Sequence, residues 1–333
     1  MAELRGQPPS VPVGAQSWHY REVNARAPGL GYLSRALCDL VDEGHPVMAG
    51  TADLSYSNGL VRFAKAHPER FIQFGISEKH MVSAAAGLAA MGMIPYVASF
   101  ASFVALLTCE QIRTDAAYSA LPVRVIGHHA GITLGFYGTS HHATEDLAIT
   151  RSIADLIVIA PADGPQLAAA IKATVRQRQP IYFRIGRGQE PNVYPDDVQF
   201  ELGKAVVHCE GDELTLIVCG TMLHPAVAAV DALRASGASV GLIDMPTIKP
   251  IDRTAILVAA SRSRLILTVE EHNTLGGLGG AVAEVLAEAG VPARLVRHGI
   301  DDEYSLIAPP THLYRHYRLD AAGIEAVARE AMA

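Results

Sequence analysis

The sequence has few cysteines, no block of one charge and no long apolar run, and each shortage removes a class of protein. Cys38, Cys109, Cys209 and Cys219 are scattered, with no CxxC pair. That spacing indicates neither a zinc site nor a disulfide framework, so the four read as small core residues in a reducing compartment. Lys and Arg form no cluster, and the formal net charge is −7. This balance argues against a nucleic-acid or anionic-membrane surface. No apolar run reaches the roughly 18 residues needed to cross a bilayer. Met1 to Gln16 is rich in Pro and Gly and lacks an apolar core of signal-peptide length. The expectation is a cytoplasmic protein with a flexible N-terminal arm over residues 1–24.

What the chain does have is apolar material. Half of its 333 residues are hydrophobic and 18% are charged, enough for two packed cores. From about residue 29, short β-rich runs alternate with helical stretches. Val47–Gly50, Ile72–Phe74, Ile94–Ala98, Val123–His128, Leu156–Ala160 and Ile181–Arg184 read as buried strands. Alanine-rich helices are expected over Ser77–Met91, Ser102–Ser119 and Gly164–Arg178. Such alternation predicts βαβ units and a parallel sheet with helices on both faces. Gly186–Asp197 interrupts the pattern. It resumes with Leu214–Cys219, Val240–Asp244, Leu265–Val269 and Ala293–Val296. The expected fold class is therefore α/β with two domains, 25–190 and 198–333, each a mainly parallel sheet flanked by helices.

Ligands of such sheets sit beyond the carboxyl ends of strands, where loops converge. The sharpest feature there is Gly75-Ile76-Ser77-Glu78-Lys79-His80-Met81, ahead of a small-residue helix. One reading makes Ser77 an N-cap and Glu78 a first-turn anion suited to the helix dipole. About twenty residues on, Ala98-Ser99-Phe100-Ala101-Ser102-Phe103 places phenylalanines at i and i+3, which as an isolated pair would be core. His128-His129-Ala130-Gly131 then leads into Gly138-Thr139-Ser140-His141-His142. A metal site from these histidines is disfavoured, because adjacent residues at a strand end point in opposite directions. Gly276–Gly280 follows a strand as a dinucleotide fingerprint does, but its sixth position is Val282 rather than Gly or Ala.

Taken in order, these motifs resemble the transketolase family from about residue 30 onward. The match includes Thr51-Ala52-Asp53-Leu54 with Ser57-Asn58, His67-Pro68-Glu69-Arg70-Phe71, the Glu78 segment, and Ser99-Phe100 with Phe103. It continues through Gly131-Ile132, Glu145-Asp146-Leu147-Ala148, Pro161-Ala162-Asp163-Gly164, and Arg184 with Arg187. It ends with Asp244-Met245-Pro246-Thr247-Ile248-Lys249-Pro250 and Glu270-Glu271-His272-Asn273. The resemblance implies thiamine diphosphate as cofactor and transfer of a two-carbon ketol unit between sugars or sugar phosphates. Glu78 is then similar to the glutamate that hydrogen-bonds the aminopyrimidine ring. Phe103 matches the aromatic that stacks on that ring, with Phe100 beside it and Asp53 also on the cofactor side. His141 matches a histidine that exchanges protons with sugar hydroxyls. Ser57, His129 and Arg187 match the family's sugar-phosphate contacts.

Half of such a site is missing. The family holds the diphosphate through a metal at a Gly-Asp-Gly motif, whereas here Gly211-Asp212 is followed by Glu213. The resemblance therefore implies an N-terminal-half partner subunit that carries the motif and binds Mg2+ or Ca2+, in an α2β2 assembly. Three departures stand out. Phe136-Tyr137-Gly138 replaces the usual Glu-Asp-Gly, Leu106 replaces a tyrosine, and Leu30 stands where an arginine is expected, although Arg26 is near in sequence. The alternatives are the β subunit of a 2-oxoacid dehydrogenase decarboxylase, or a non-catalytic regulatory partner with the same fold.

Overall fold

The computed structural model describes residues 29–333, so the expected arm over residues 1–24 lies outside the described residues. The first sheet contains β1 (Val47–Thr51), β2 (Phe71–Gln73), β3 (Ile94–Phe100), β4 (Arg124–His128), β5 (Ile157–Ile159) and β6 (Ile181–Arg184). These strands read as continuous apolar runs because helices cover both faces of the sheet. The second sheet contains β7 (Val206–Cys209), β8 (Leu214–Val218), β9 (Val240–Asp244), and, past β10 (Thr247–Lys249), β11 (Leu265–Asn273) and β12 (Arg294–Ile300). The strand orders are β10-β5-β6-β4-β3-β1-β2 and β12-β11-β8-β9-β7. Both sheets are parallel except at one edge, where β10 runs antiparallel to β5 and β7 antiparallel to β9. The two-domain α/β architecture is the one the alternation predicts.

Two strands are unexpected. β7 and β10 are short edge strands, too brief to show an apolar period. β10 also pairs with the first sheet, although its sequence lies in the second half of the chain, and so stitches the two units together. The core runs across the same seam: Ile217, Cys219, Ile243 and Ile266 belong to one buried cluster with Val97, Val125 and Leu147. The single helix expected over Ser102–Ser119 is broken into Ala101–Leu106, Cys109–Gln111 and a widened turn over Ile112–Ala117. Thr108 sits at the break with its hydroxyl bonded to the Val104 carbonyl, a back-bond that bends helices. β11 runs four residues beyond its expected end at Val269, carrying Glu270, Glu271 and His272 into full burial.

Register positions the site. Phe100 is paired with His128 across β3 and β4, and Ser99 with Gly127 one row back. The helix Glu78–Ala90 packs Met81, Val82, Ala85, Ala86 and Ala89 inward, an i, i+3/i+4 stripe whose small residues let it approach β3 closely.

Candidate active site

The Glu78 carboxylate is the first anchor. Ser77 occupies the N-cap position but makes no side-chain capping hydrogen bond. Glu78 is the first residue of the helix and is buried, and the Ser99 hydroxyl donates to its Oε1 at 3.0 Å. Ser99 follows the apolar part of β3, so the pairing fixes the carboxylate against the strand end that Phe100 terminates. A sequence reading gives Ser99 no role of its own, because its partner lies 21 residues away.

Around that strand end five rings gather. Phe100 lies 5.7 Å from Phe103, 4.9 Å from His129 and 5.9 Å from His141, centroid to centroid. Phe103 and His141 are 5.2 Å apart, and Tyr137 stacks on His141 at 4.7 Å with planes inclined by 29°. These separations are those of favourable edge and offset contacts. The loops that supply the rings are clasped together: Gly131 and Ala143 exchange two backbone hydrogen bonds of 3.0 and 2.9 Å. The histidines they carry, twelve positions apart in sequence, thereby reach the same side of Phe100.

The histidine pair corrects one expectation. His128 and His129 do not point apart. Their rings are 4.4 Å apart and their Nδ1 atoms 2.5 Å apart. The pleat ends at His128 because His129 adopts a left-handed φ of 57°, which swings its ring back beside its neighbour. Burial pushes His128 down to about 3, and burial together with His128 and the Arg187 charge holds His129 well below the ordinary range. Both rings are therefore neutral near pH 7, one Nδ1 donating and the other accepting. Partial burial also lowers His141, whose Nδ1 lies 2.9 Å from the Ser140 hydroxyl. Among the described residues, no group of three or more His, Cys, Asp or Glu side chains gathers as metal ligands do.

The remaining expected site residues stand around this cluster. Asp53 is exposed at the end of β1 with a left-handed φ of 59°, its N–H bonded to Gln73 Oε1 at 2.6 Å. The next residue, Leu54, packs with Phe100, Phe103 and Tyr137. Ser57 is buried in the same loop, which Asn58 ties down by donating to Thr51 Oγ1 and the Ala98 carbonyl, both at 2.9 Å. Arg187 is half-buried, with its guanidinium carbon 5.9 Å from the Phe136 ring centroid. Together with Thr133, Tyr314 and Arg315 it lines a cleft of about 590 Å³ between the two units. Leu30 is buried against Gly188, so its position is core. Leu106 is exposed.

Arg184, three residues before Arg187, has a different task. Its guanidinium pairs with the fully buried Asp146 at 3.0 Å and donates to the Glu271 carbonyl at 2.7 Å, while Tyr182 donates to Asp146 at 2.8 Å. Glu271, Glu270 and Asp244 are buried carboxyl groups pushed up to about 7 by desolvation.

One carboxylate oxygen held by a serine, aromatic rings with half-buried Phe103 among them, and neutral imidazoles suit a flat heteroaromatic ring whose nitrogen takes and gives up a proton. The fold and this edge cluster define a two-domain α/β protein with its candidate site beyond the strand ends of the first sheet. Residues 31–191 match the transketolase pyrimidine binding domain and residues 203–324 the transketolase C-terminal domain. The chain is 38% identical over 275 residues to the putative transketolase C-terminal section of Methanocaldococcus jannaschii, covering 82% of this chain and 86% of that one. It is 37% identical over 289 residues to a subunit of the apulose-4-phosphate transketolase of Phocaeicola vulgatus, covering 86% and 92%. Among solved structures, a split-gene transketolase described as an inactive beta4 tetramer superposes with a TM-score of 0.84 at 36% identity, covering 91% of this chain and 98% of that one. The chain belongs to the transketolase family.

Proposed function

We propose that this chain is the C-terminal-half subunit of a split, thiamine-diphosphate-dependent transketolase. It moves a two-carbon ketol unit from a ketose or ketose phosphate to an aldose or aldose phosphate. The observation that carries the reading is the buried Glu78 carboxylate, held by Ser99 at the strand end where the rings of Phe100, Phe103, His129 and His141 meet. When bound, thiamine diphosphate supplies an acidic thiazolium carbon and an electron sink.

The chain's own residues do the rest. Glu78, aimed by Ser99, would hold the aminopyrimidine ring through a hydrogen bond at its nitrogen. Phe103 and Phe100 would hold the flat ring in place. His141, neutral near pH 7, takes a proton from a substrate hydroxyl and returns it. His129 offers a neutral imidazole to the sugar. Arg187 and Ser57 bind the anionic sugar end, Arg187 with its planar fork, and Asp53 stands on the cofactor side. Tyr137, stacked on His141, narrows the choice of acceptor.

A partner polypeptide with the Gly-Asp-Gly motif completes the site by holding the diphosphate through Mg2+ or Ca2+, in a cytoplasmic α2β2 assembly. Three points support that arrangement: the motif is missing from this chain, one similar protein is named a C-terminal section and another a transketolase subunit, and the solved relative comes from a split gene. The test is reconstitution with the N-terminal-half chain and ketol transfer over a panel of phosphorylated and unphosphorylated sugars. The chain alone is expected to be inactive and to bind thiamine diphosphate weakly. Full turnover without a second polypeptide overturns the reading.

A further inference from the structure

We infer that Glu271, a residue of the second unit, is the positioning residue for both active-site histidines; the inference rests on the function proposed above. β11 carries Glu271 out of the second sheet to the loop that follows β4. There its Oε1 accepts the Ile132 N–H at 2.7 Å, and its Oε2 accepts the Thr221 hydroxyl at 2.8 Å. The loop is shaped to receive it. Gly131 has a φ of +65°, and a Cβ built there would stand 2.3 Å from the Glu271 carboxyl carbon and Oε1. Only glycine admits both the left-handed backbone and that approach.

From this contact the path to the histidines is short. His129 is two residues before Gly131, its own N–H bonded to the Gly186 carbonyl at 3.2 Å. On the other side, Gly131 clasps Ala143, two residues after His141. Arg184 fastens the same corner by donating to the Glu271 carbonyl at 2.7 Å and to the Ala143 carbonyl at 3.3 Å. A carboxylate accepting a buried N–H is among the stronger hydrogen bonds, and losing it strands that N–H away from water. The other two buried carboxyl groups of the second unit make no such link. Glu270 caps the helix Leu278–Glu288 through the Leu278 and Gly279 N–H groups, and Asp244 holds Gln166 and Tyr194. The second unit thus reaches the histidine loop through the Glu271 carboxylate at its Gly131–Ile132 end and through Ser305, hydrogen-bonded to His142, at the other.

Glu271→Gln, Glu271→Asp and Asp244→Asn are to be compared in the complete assembly, by kcat per folded molecule and by amide hydrogen exchange. In Glu271→Gln the charge that strengthens the Ile132 N–H bond is lost, and the Thr221 hydroxyl must turn from donor to acceptor to meet the new NH2 group. We expect kcat to fall about tenfold or more, as small misplacements of catalytic groups do. Exchange should quicken over Ile132–Ala143 while Leu214–Val218 keeps its protection. Glu271→Asp should recover part of the rate. Asp244→Asn, which alters an equally buried carboxyl group remote from the histidine loop, should keep kcat within about twofold, because sites without shared partners act independently. The inference is overturned if Glu271→Gln keeps kcat within that range, if Asp244→Asn lowers it equally, or if exchange quickens evenly along the chain. Should the wild-type assembly lack ketol transfer, the functional reading fails while the exchange comparison still decides whether Glu271 orders the loop.

Discussion

The two sheets spend their polar groups differently. At the carboxyl edge of the first, Glu78 is bound through one oxygen, and His141 and Phe103 remain half-buried. At the end of β11 in the second, Glu270, Glu271 and His272 are buried and directed onto backbone. Glu270 accepts two N–H groups of the following helix, Glu271 accepts the Ile132 N–H, and His272 takes the Leu147 N–H at 3.2 Å. The contrast teaches that polar residues at a strand end do not by themselves mark a site. What matters is whether partners within the chain consume their hydrogen-bonding capacity.

The largest expected effect comes from breaking the seam. Asp146→Ala leaves the buried Arg184 without its ion-pair partner and Tyr182 without its acceptor, the kind of change that costs about 3–5 kcal/mol. Urea unfolding of the chain should show that loss, and a variant as stable as wild type would mean the pair contributes nothing net. An intermediate effect is expected at the open edge. Losing a hydrogen bond to a charged group costs about 1.5–3 kcal/mol, or roughly ten- to a hundredfold in catalytic efficiency. Arg187→Ala should impose that penalty on phosphorylated sugars and leave small unphosphorylated acceptors nearly unchanged. Equal losses on both substrate types would move Arg187 to the structural side of the comparison. The smallest effect is a pH limb. His141 must be neutral to accept a proton, and burial places it below its ordinary value of 6.5. Activity should therefore hold level above that pH and decline only below it, and a limb that begins at pH 7 or higher contradicts the assignment.

Legibility in the sequence follows the same divide. Strands of the first sheet were legible because apolar runs end at Gly50, Gly75 and the serine before Phe100, and Glu78 stood out by its place after such an end. β11 passes its expected end at Val269 because Glu270-Glu271-His272 looks like the start of a loop until each group is seen to have a buried partner. The pairing of His128 with His129 was hidden for another reason: a left-handed φ at a histidine leaves no mark in the chain. β7 and β10 were too short to show a period. Arg184 and Arg187 look alike in sequence, and only burial beside Asp146 separates the structural arginine from the candidate ligand.

Glu78 carries the central claim, and its most direct test is proton exchange at the thiazolium carbon of thiamine diphosphate bound to the complete assembly, for wild type and Glu78→Gln. The amide keeps the size of the side chain but cannot hold the pyrimidine proton in the same way. Exchange should slow by about a hundredfold or more, the scale of a lost acid–base contribution. Stability should change by about 1 kcal/mol or less, since the helix-dipole contribution is small. Exchange at the wild-type rate would contradict the proposed role and leave Glu78 as a buried first-turn residue.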